Sequence, residues 1–266
     1  MGTLFHDLSY ASLIYPISGF CIGVLVGMTG IGGGSLMTPL LILLFGVHPT
    51  TAVGTDLLFA AATKTVGTGM HAVGRTVDWT LVALLAAGSV PATIATLIML
   101  SHFDLKAAGA QQFITVVLGC VLLITALFLL LGRTLRERYA DRLKDLDRRT
   151  AQVMTVVLGG MMGILVTATS VGAGAIGVTF LILLHPKMQA ARVVGSDIAH
   201  AVPLTLLAGV GHWYLGTIDL QLLEALLFGS LPGVVVGSYF AAHTREAILR
   251  TVLAAVLIVV GARLLW

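Results

Sequence analysis

The sequence is a succession of long apolar segments separated by short polar stretches. The first apolar region, 13–45, is too long for one membrane crossing, because a helix of that length would reach roughly 50 Å against a hydrocarbon core of about 30 Å. Four glycines lie near its middle: Gly30, Gly32, Gly33 and Gly34. They predict a helix that ends near Thr29 and a short helix that begins near Ser35. Because broken backbone at membrane depth must be satisfied by protein or by a polar cavity, this break is a candidate functional site.

The hydrophobic pattern predicts an all-α protein with the same order of helices in both halves. In the first half the predicted helices cover residues 11–28, 35–45, 55–73, 79–100 and 108–131. In the second half they cover residues 151–168, 175–184, 196–214, 220–241 and 247–266. Each half thus contains a broken helix pair followed by three full spans. The predicted organisation is a first transmembrane repeat at 1–132, a hydrophilic linker at 133–150 and a second repeat at 151–266.

Matching residues at matching positions indicate that the two halves arose by internal duplication. The matched pairs are Thr29 with Thr169, Gly32 with Gly172, Gly34 with Gly174, Asp56 with Asp197, His71 with His212, Asp78 with Asp219, and Pro91 with Pro232. The second half departs from the first at Ala173 and Thr179, which stand where the first half has Gly33 and Pro39. The match predicts a second helix break at 169–174.

The composition is that of a polytopic membrane protein. Of the 266 residues, 58% are hydrophobic and 10% are charged, and the mean hydropathy is +1.02. In soluble domains about a quarter of the residues are charged. The net charge is +3, and nearly half of the Lys and Arg residues lie in the linker. We therefore expect the lipid bilayer as surroundings and no nucleic-acid partner.

The distribution of basic residues predicts the topology. The positive-inside rule places the linker 133–150 in the cytoplasm. Counting outward from it, we expect both termini to lie outside the cytoplasm and the two halves to have opposite orientations in the membrane. No Lys or Arg precedes the first apolar segment, so we expect the first helix to be retained rather than cleaved as a signal peptide. Inverted repeats with matched broken helices are typical of secondary transporters that bind their substrate near the midplane.

The two short helices are expected to bring their N-termini together deep in the membrane, from opposite sides. A helix N-terminus presents unbonded amides and about half a positive charge, which favours an anion. We therefore predict a small anion between the breaks, carried by one half rocking against the other. The candidate binding residues are Thr29, Gly30, Gly32, Gly33, Gly34, Ser35, Lys64, Thr169, Ser170, Gly172 and Gly174. The hydroxyls among them could equally replace lost backbone hydrogen bonds.

Several titratable residues fall inside predicted spans and are candidates for coupling or gating: Asp56, His71, Asp197, His200 and His212. Lys64 is the only Lys or Arg well inside a span, and its repeat counterpart is Thr205. A membrane-buried ammonium is costly and usually functional, so we expect Lys64 to bind or gate the anion, with snorkelling or pairing with a carboxylate as the alternative.

Structural interpretations compete with these roles. Asp56 and Asp197 come at predicted helix starts, where a carboxylate caps the helix; proton coupling, or pairing of Asp56 with Lys64, is the rival. His71 and His212 either hold a loop or act as a proton relay or anion donor. His200 is expected one turn into its helix, where it would either line the pore or be structural. We predict Asp78 and Asp219 as helix N-caps and Pro91 and Pro232 as kinks.

The same residues resemble the TauE/SafE family of membrane transporters. The resemblance is carried by the glycine-rich break 27–34 with Pro39, the segment Ala-Val-Gly-Thr-Asp at 52–56, His71 with Gly74, Val77-Asp78 and their repeats in the second half. It extends over the whole chain. It implies a bacterial cytoplasmic-membrane transporter that exports sulfur-containing anions such as sulfite, sulfoacetate or other organosulfonates.

Other classes are less consistent with the sequence. A passive anion channel would use the same positive site, and another small carboxylate or oxyanion could be the substrate. An intramembrane aspartate protease is disfavoured, because Asp56 and Asp197 would begin helices near opposite faces. No His-Glu-x-x-His motif and no Cys, Met or His cluster is present, so we expect neither an enzyme nor a bound metal or cofactor. Glycine-rich helix faces allow a homodimer, although they also serve packing within one chain.

Overall fold

The chain is an assembly of helices. The computed structural model describes residues 2–29, 34–73, 76–105, 107–143, 147–172, 174–241 and 246–266. In these residues every regular element is a helix: α1 (Gly2–Thr29), α2 (Gly34–Phe45), α3 (Pro49–Val73), α4 (Trp79–Ser101), α5 (Ala108–Leu143), α6 (Arg148–Thr169), α7 (Ala175–Leu184), α8 (Ala190–Tyr214), α9 (Leu220–Ala241) and α10 (Glu246–Leu265). The predicted all-α class is confirmed.

Membrane-spanning character is distributed over both halves. Among the described residues, the helices long and apolar enough to cross a bilayer are Trp79–Ser101, Ala108–Gly132, Arg148–Thr169, Ala190–Tyr214 and Leu220–Gly237. Shorter apolar helices cover Ile14–Leu25, Leu36–Phe45 and Ala175–Leu184. These lengths confirm a polytopic membrane protein with short helices after each predicted break.

Four helices are longer than the apolar pattern predicts. Helix α1 begins at Gly2, nine residues before the predicted start at residue 11. Helices α3 and α8 begin six residues earlier, at Pro49 and Ala190. Proline suits a first helical turn, because its missing amide has no partner there in any case. Helix α5 continues to Leu143, so most of the predicted linker 133–150 is helical, as its Leu, Arg and Glu residues favour. Apolarity marks the part of a helix that lies in lipid, and these helices extend beyond it.

Helix packing is matched between the halves. The largest interfaces join α1 to α9, α4 to α6, α5 to α10, and α3 to α8. In the repeat, α1 to α5 correspond to α6 to α10, so the α1–α9 pair corresponds to the α6–α4 pair. The smaller contacts of α2 with α3 and α10 likewise correspond to those of α7 with α8 and α5. The pairing pattern is the one that a two-fold axis through the α3–α8 and α5–α10 contacts would produce.

Helices α3 and α8 run antiparallel at the centre, and each contacts the loop that follows the other. The Asp219 amide, just beyond the end of α8, donates to the Thr55 hydroxyl near the start of α3 (3.1 Å). The Asp78 amide, just beyond the end of α3, donates to the Ser196 hydroxyl near the start of α8 (2.7 Å). The two hydrogen bonds link the halves at opposite ends of the molecule.

Glycine makes these end contacts close. A Cβ atom on Gly54 would lie 2.6 Å from the Thr217 carbonyl oxygen, and one on Gly195 would lie 2.8 Å from that of Thr76. Real Cβ atoms do not approach that closely, so both positions require glycine. The repeated Val-Gly-(Thr/Ser)-Asp segments therefore join the first part of each central helix to the other half.

Glycines also form the large interfaces between helices. On α6, a Cβ atom on Gly159 would overlap the Leu85 carbonyl oxygen of α4. On α9, a Cβ atom on Gly229 would overlap the Pro16 carbonyl oxygen of α1. These glycines are used within one chain, which favours internal packing over dimerisation as their role.

Two neighbouring glycines provide a matched test. We expect Gly159→Ala to lower stability by about 1–3 kcal/mol, because the methyl group collides with backbone. Gly160→Ala should be tolerated or slightly stabilising, since its Cβ would meet only the Gly88 carbonyl oxygen at 3.8 Å and alanine is the better helix former. The thermal midpoint of the purified protein in detergent reports both effects. Equal midpoints for the two variants would contradict the assigned helix contact.

Candidate functional site

A cluster of buried polar side chains lies where α3 meets α8. Its members and their exposed fractions are Asp56 (0%) and Lys64 (7%) on α3, and Asp197 (2%) and His200 (0%) on α8. Burying a charged or polar group inside a membrane protein costs free energy unless the group is paired. Ionisable groups buried there are usually functional. The sequence singled out all four residues separately. In the structure Asp56 lies toward one end of the α3–α8 contact, Asp197 lies toward the other, and Lys64 lies between them.

Asp56 binds the start of the short helix α2. The amide of Thr38 donates to its Oδ2 atom at 3.2 Å, and the Thr38 hydroxyl donates to the same oxygen. The predicted capping role of Asp56 on its own helix is wrong, because α3 begins at Pro49 and Asp56 lies about two turns inside it. The other carboxylate oxygen, Oδ1, is buried and has no hydrogen-bond partner among the described residues.

Asp197 occupies the matching place in the second half. It lies about two turns inside α8, which begins at Ala190, so capping of its own helix is again the wrong interpretation. Its Oδ1 atom contacts the first turn of α7, where a Cβ on Gly177 would lie 2.6 Å away. That oxygen has no hydrogen-bond partner among the described residues. Each short helix thus has a carboxylate of the chain itself against its first turns.

Lys64 is close enough to both carboxylates to interact with them electrostatically. Its positive charge attracts the carboxylates of Asp197 and Asp56, and it is also within electrostatic range of the His200 ring. Between residues that the structure describes, the ion pair within 4 Å is that of Arg192 with Asp78, so Lys64 contacts neither carboxylate directly. The ammonium is therefore buried with opposite charges nearby and no direct salt bridge.

His200 lies in the middle of α8 rather than one turn from its start, because α8 begins earlier than predicted. Its Nε2 atom is 2.8 Å from the Ser89 hydroxyl of α4. Its Nδ1 atom is buried and has no hydrogen-bond partner among the described residues. Sequence reasoning assigned no role to Ser89, although the repeat of Gly-Ser-Val-Pro at 88–91 as Gly-Ser-Leu-Pro at 229–232 marks the position.

The second helix break adjoins the cluster. Ser170 has a left-handed backbone (φ 60°), and Gly172 and Gly174 have φ of 118° and 117°, where a side chain would be strained. The Ser170 hydroxyl lies beside the Asp56 carboxyl and makes no hydrogen bond to a described residue. Thr169 instead satisfies local backbone, donating to the Leu165 carbonyl and accepting from the Val171 amide.

Unpartnered polar atoms lie along α3 and α8 and at the second helix break. Across the part of the chain that the structure describes, they are Asp56 Oδ1, Thr68 Oγ1, Ser170 Oγ, Asp197 Oδ1 and His200 Nδ1. Thr68 lies one helical turn beyond Lys64 on α3. Each such group costs about 1–3 kcal/mol when nothing satisfies it. Native proteins contain few, so their presence on both sides of Lys64 indicates a site that water or a ligand fills.

His212 lies outside the cluster and is fully bonded. Its Nε2 atom donates to the Thr167 carbonyl at 3.0 Å, and its Nδ1 atom is 2.9 Å from the Thr217 hydroxyl. This geometry holds the loop after α8 against α6, as the structural interpretation predicts. The predicted caps are confirmed at Asp78, which accepts from the Thr80 and Leu81 amides, and at Asp219, which accepts from the Leu222 amide.

Part of the predicted site lies outside the described residues. This applies to Gly30, Gly32 and Gly33, and to the side chains of Thr29, Ser35 and His71. Gly34 is described and begins α2. The candidate site is therefore built here from the second break and from the two central helices.

Comparison with known sequences agrees with this architecture. The family model described as Sulfite exporter TauE/SafE matches residues 15–264. Two relatives from Bacillus subtilis (strain 168) match most of the chain. "Probable membrane transporter protein YjnA" is 34% identical over 250 residues, which are 94% of this chain and 98% of that protein. "Probable membrane transporter protein YdhB" is 25% identical over 236 residues, 87% of this chain and 91% of that protein.

No solved structure matches the chain at a significant level. The sequence matches, in contrast, extend through both halves and include the breaks, the central helices and the cluster. This protein belongs to the TauE/SafE sulfite exporter family of membrane transporters.

Proposed function

We propose that the protein is a secondary transporter that exports a small sulfur-containing anion across the cytoplasmic membrane. The observation that carries this proposal is the group of unpartnered buried polar atoms around Lys64, where α3 and α8 meet. The family description names sulfite, and sulfoacetate and related sulfonates present a similar charged group to the cluster. Transport draws on the gradients of substrate and ions.

The cluster offers the contacts that a sulfonate or sulfite group needs. Lys64 supplies a positive charge, and the hydroxyls of Thr68 and Ser170 can donate to anion oxygens. When Ser89 donates its hydroxyl hydrogen to Nε2 of His200, the ring hydrogen is on Nδ1, which can also donate to the anion. The breaks alone are a weaker anion site, because Asp56 and Asp197 already face the short helices.

The symmetric packing supports inverted repeats and alternating access. Helices α3 and α8 are repeat counterparts and run antiparallel, with matched hydrogen bonds at opposite ends. Counterparts in inverted repeats have this relation. We propose that the cluster is exposed to one side and then to the other as packed groups of helices move around it. In this arrangement both termini lie outside the cytoplasm.

A pocket of about 720 Å³ lies on the side of the molecule that the positive-inside rule places in the cytoplasm. It lies among α4, α6 and the loop between α7 and α8. Its charged lining residues are three basic ones and two acidic ones, Arg148, Lys187, Arg192, Asp78 and Asp147. Arg192 pairs with Asp78 at 3.4 Å, so Arg148 and Lys187 are the basic residues that remain. Burial lowers the pKa of His185 in its wall, although nearby Asp78 opposes the shift, so His185 is neutral near pH 7. We propose this pocket as the cytoplasmic vestibule, in which cationic side chains concentrate the anion.

The channel alternative uses the same site and differs in kinetics. A carrier gives saturable counterflow, in which unlabelled substrate inside a vesicle accelerates entry of labelled substrate. A channel gives unitary currents and no counterflow. Another carboxylate or oxyanion as substrate would leave the carrier intact and change only which labelled anion exchanges.

Substitution of Lys64 tests whether the cluster is the anion-binding site. We expect Lys64→Met to weaken labelled sulfite or sulfoacetate counterflow in proteoliposomes by roughly 10- to 100-fold in apparent affinity, as expected for loss of a hydrogen bond to a charged group. The matched control is Thr205→Val at the repeat counterpart, whose hydroxyl bonds its own helix at the Ala201 carbonyl (2.8 Å). Thr205→Val should leave the affinity unchanged. Wild-type affinity in Lys64→Met would remove the cluster from the binding site.

The vestibule has a separate test. In inside-out vesicles we expect Lys187→Gln to raise the apparent KM about two- to fivefold with little change in kcat, because a steering charge acts on encounter. The effect should diminish at high salt, since exposed charges are screened. Lys187→Arg keeps the charge and is the control. A KM change that persists at high salt would contradict electrostatic steering.

A further inference from the structure

When its groups are ionised the cluster has a net negative charge, and a bound anion would add to it. Asp56 and Asp197 contribute two negative charges when ionised, and Lys64 contributes one positive charge that acts on both. His200 is buried beside Lys64 and adds no compensating charge while its ring is neutral. An ionised cluster therefore has a net negative charge before the substrate arrives. Like charges in a medium of low dielectric constant repel strongly, so a further anion is disfavoured.

We propose that the anion binds together with a proton, which is carried by the carboxyl group of Asp197, so that anion and proton cross the membrane in the same direction. This inference rests on the proposed transport function and adds its coupling. Protonation of Asp197 leaves Lys64 and Asp56 as a neutral pair. The incoming anion then meets one net negative charge fewer.

Asp197 is the proton carrier because its surroundings differ from those of Asp56. Asp56 accepts two hydrogen bonds from Thr38, an amide and a hydroxyl, and such donors favour the ionised form. No hydrogen bond to Asp197 occurs among the described residues, and its Oδ1 atom is buried and unpartnered. A proton on Asp197 also turns this oxygen into a donor toward the anion.

The elements packed against Asp197 supply few competing charges. Helix α8 packs against α3, α4, α6 and α7. Among the side chains that the structure describes, the charged groups that face the cluster are Asp56 and Lys64 from α3, and the other titratable group is His200 on α8 itself. From α4 the neutral Ser89 approaches, and from α7 the contact is Gly177. Asp197 therefore responds to Lys64 and to the substrate.

The proposal predicts a pH dependence with a defined sign. Because binding takes up a proton, the apparent affinity of the wild type for sulfoacetate should fall as pH rises, by up to about tenfold per pH unit. Sulfoacetate is the probe of choice, since both of its acid groups remain ionised near neutral pH, whereas sulfite itself gains a proton there. Efflux of sulfoacetate from proteoliposomes with a pH dye inside should remove about one proton per anion from the lumen.

Asp197→Asn removes the titrating group while keeping its shape. We expect this variant to retain measurable sulfoacetate counterflow, to lose the pH dependence and proton efflux, and to bind sulfoacetate more tightly than the wild type at alkaline pH. Glu224→Gln, at an exposed carboxylate on α9, is the control and should keep both wild-type properties. Asp56→Asn tests the choice between the two cluster carboxylates.

The outcomes separate the coupling from the function. No wild-type counterflow with either sulfoacetate or sulfite overturns the proposed transport function itself. Wild-type counterflow with no proton movement overturns the coupling and leaves the function standing. Proton efflux that survives in Asp197→Asn and disappears in Asp56→Asn overturns the assignment to Asp197. An Asp197→Asn protein that does not fold is recognised by its elution profile in detergent, and Asp197→Ser, a smaller neutral side chain, then takes its place.

Discussion

The contact between α3 and α8 is the interaction on which the rest of the structure depends. It brings two carboxylates, an ammonium and an imidazole into the interior of a chain in which only 10% of residues are charged. A bilayer cannot solvate these groups, so each must find its compensation in another helix. The first turns of α2 and α7 meet the carboxylates, and Ser89 of α4 meets the imidazole. Each of the short helices α2 and α7 thus contacts one buried carboxylate.

The internal duplication accounts for the matched helices and carboxylates of the two halves. The positions at which the halves differ account for the uneven distribution of charge in the cluster. Asp56 and Asp197 match, as do the threonine and serine hydroxyls that link each central helix to the opposite loop. Lys64 faces no second lysine, because Thr205 stands at its counterpart and bonds its own backbone. Thr38 donates to Asp56, while Gly177 offers Asp197 no side chain. A symmetric frame therefore holds an asymmetric set of charges.

Hydrophobic pattern and repeat were sufficient to predict the helical class, the short α7 and the caps at Asp78 and Asp219. They failed at the starts of α3 and α8, because a polar first turn outside the apolar band has no distinctive pattern. That error made Asp56 and Asp197 look like caps. Ser89 received no role, since its partner His200 is 111 residues away in sequence. Local patterns predict helices, whereas contacts between distant helices depend on packing that a single sequence does not express.

The glycine contacts have a consequence for how the molecule can move. Gly159 and Gly229 let the backbones of α6 and α9 lie directly on α4 and α1, so no side chain separates the helices at these contacts. Each pair joins one helix from the first half to one from the second. Movement of one sequence half as a rigid unit would separate both of these backbone contacts. We therefore expect α1 with α9, and α4 with α6, to move as units in any change of conformation, each unit containing one helix from each half.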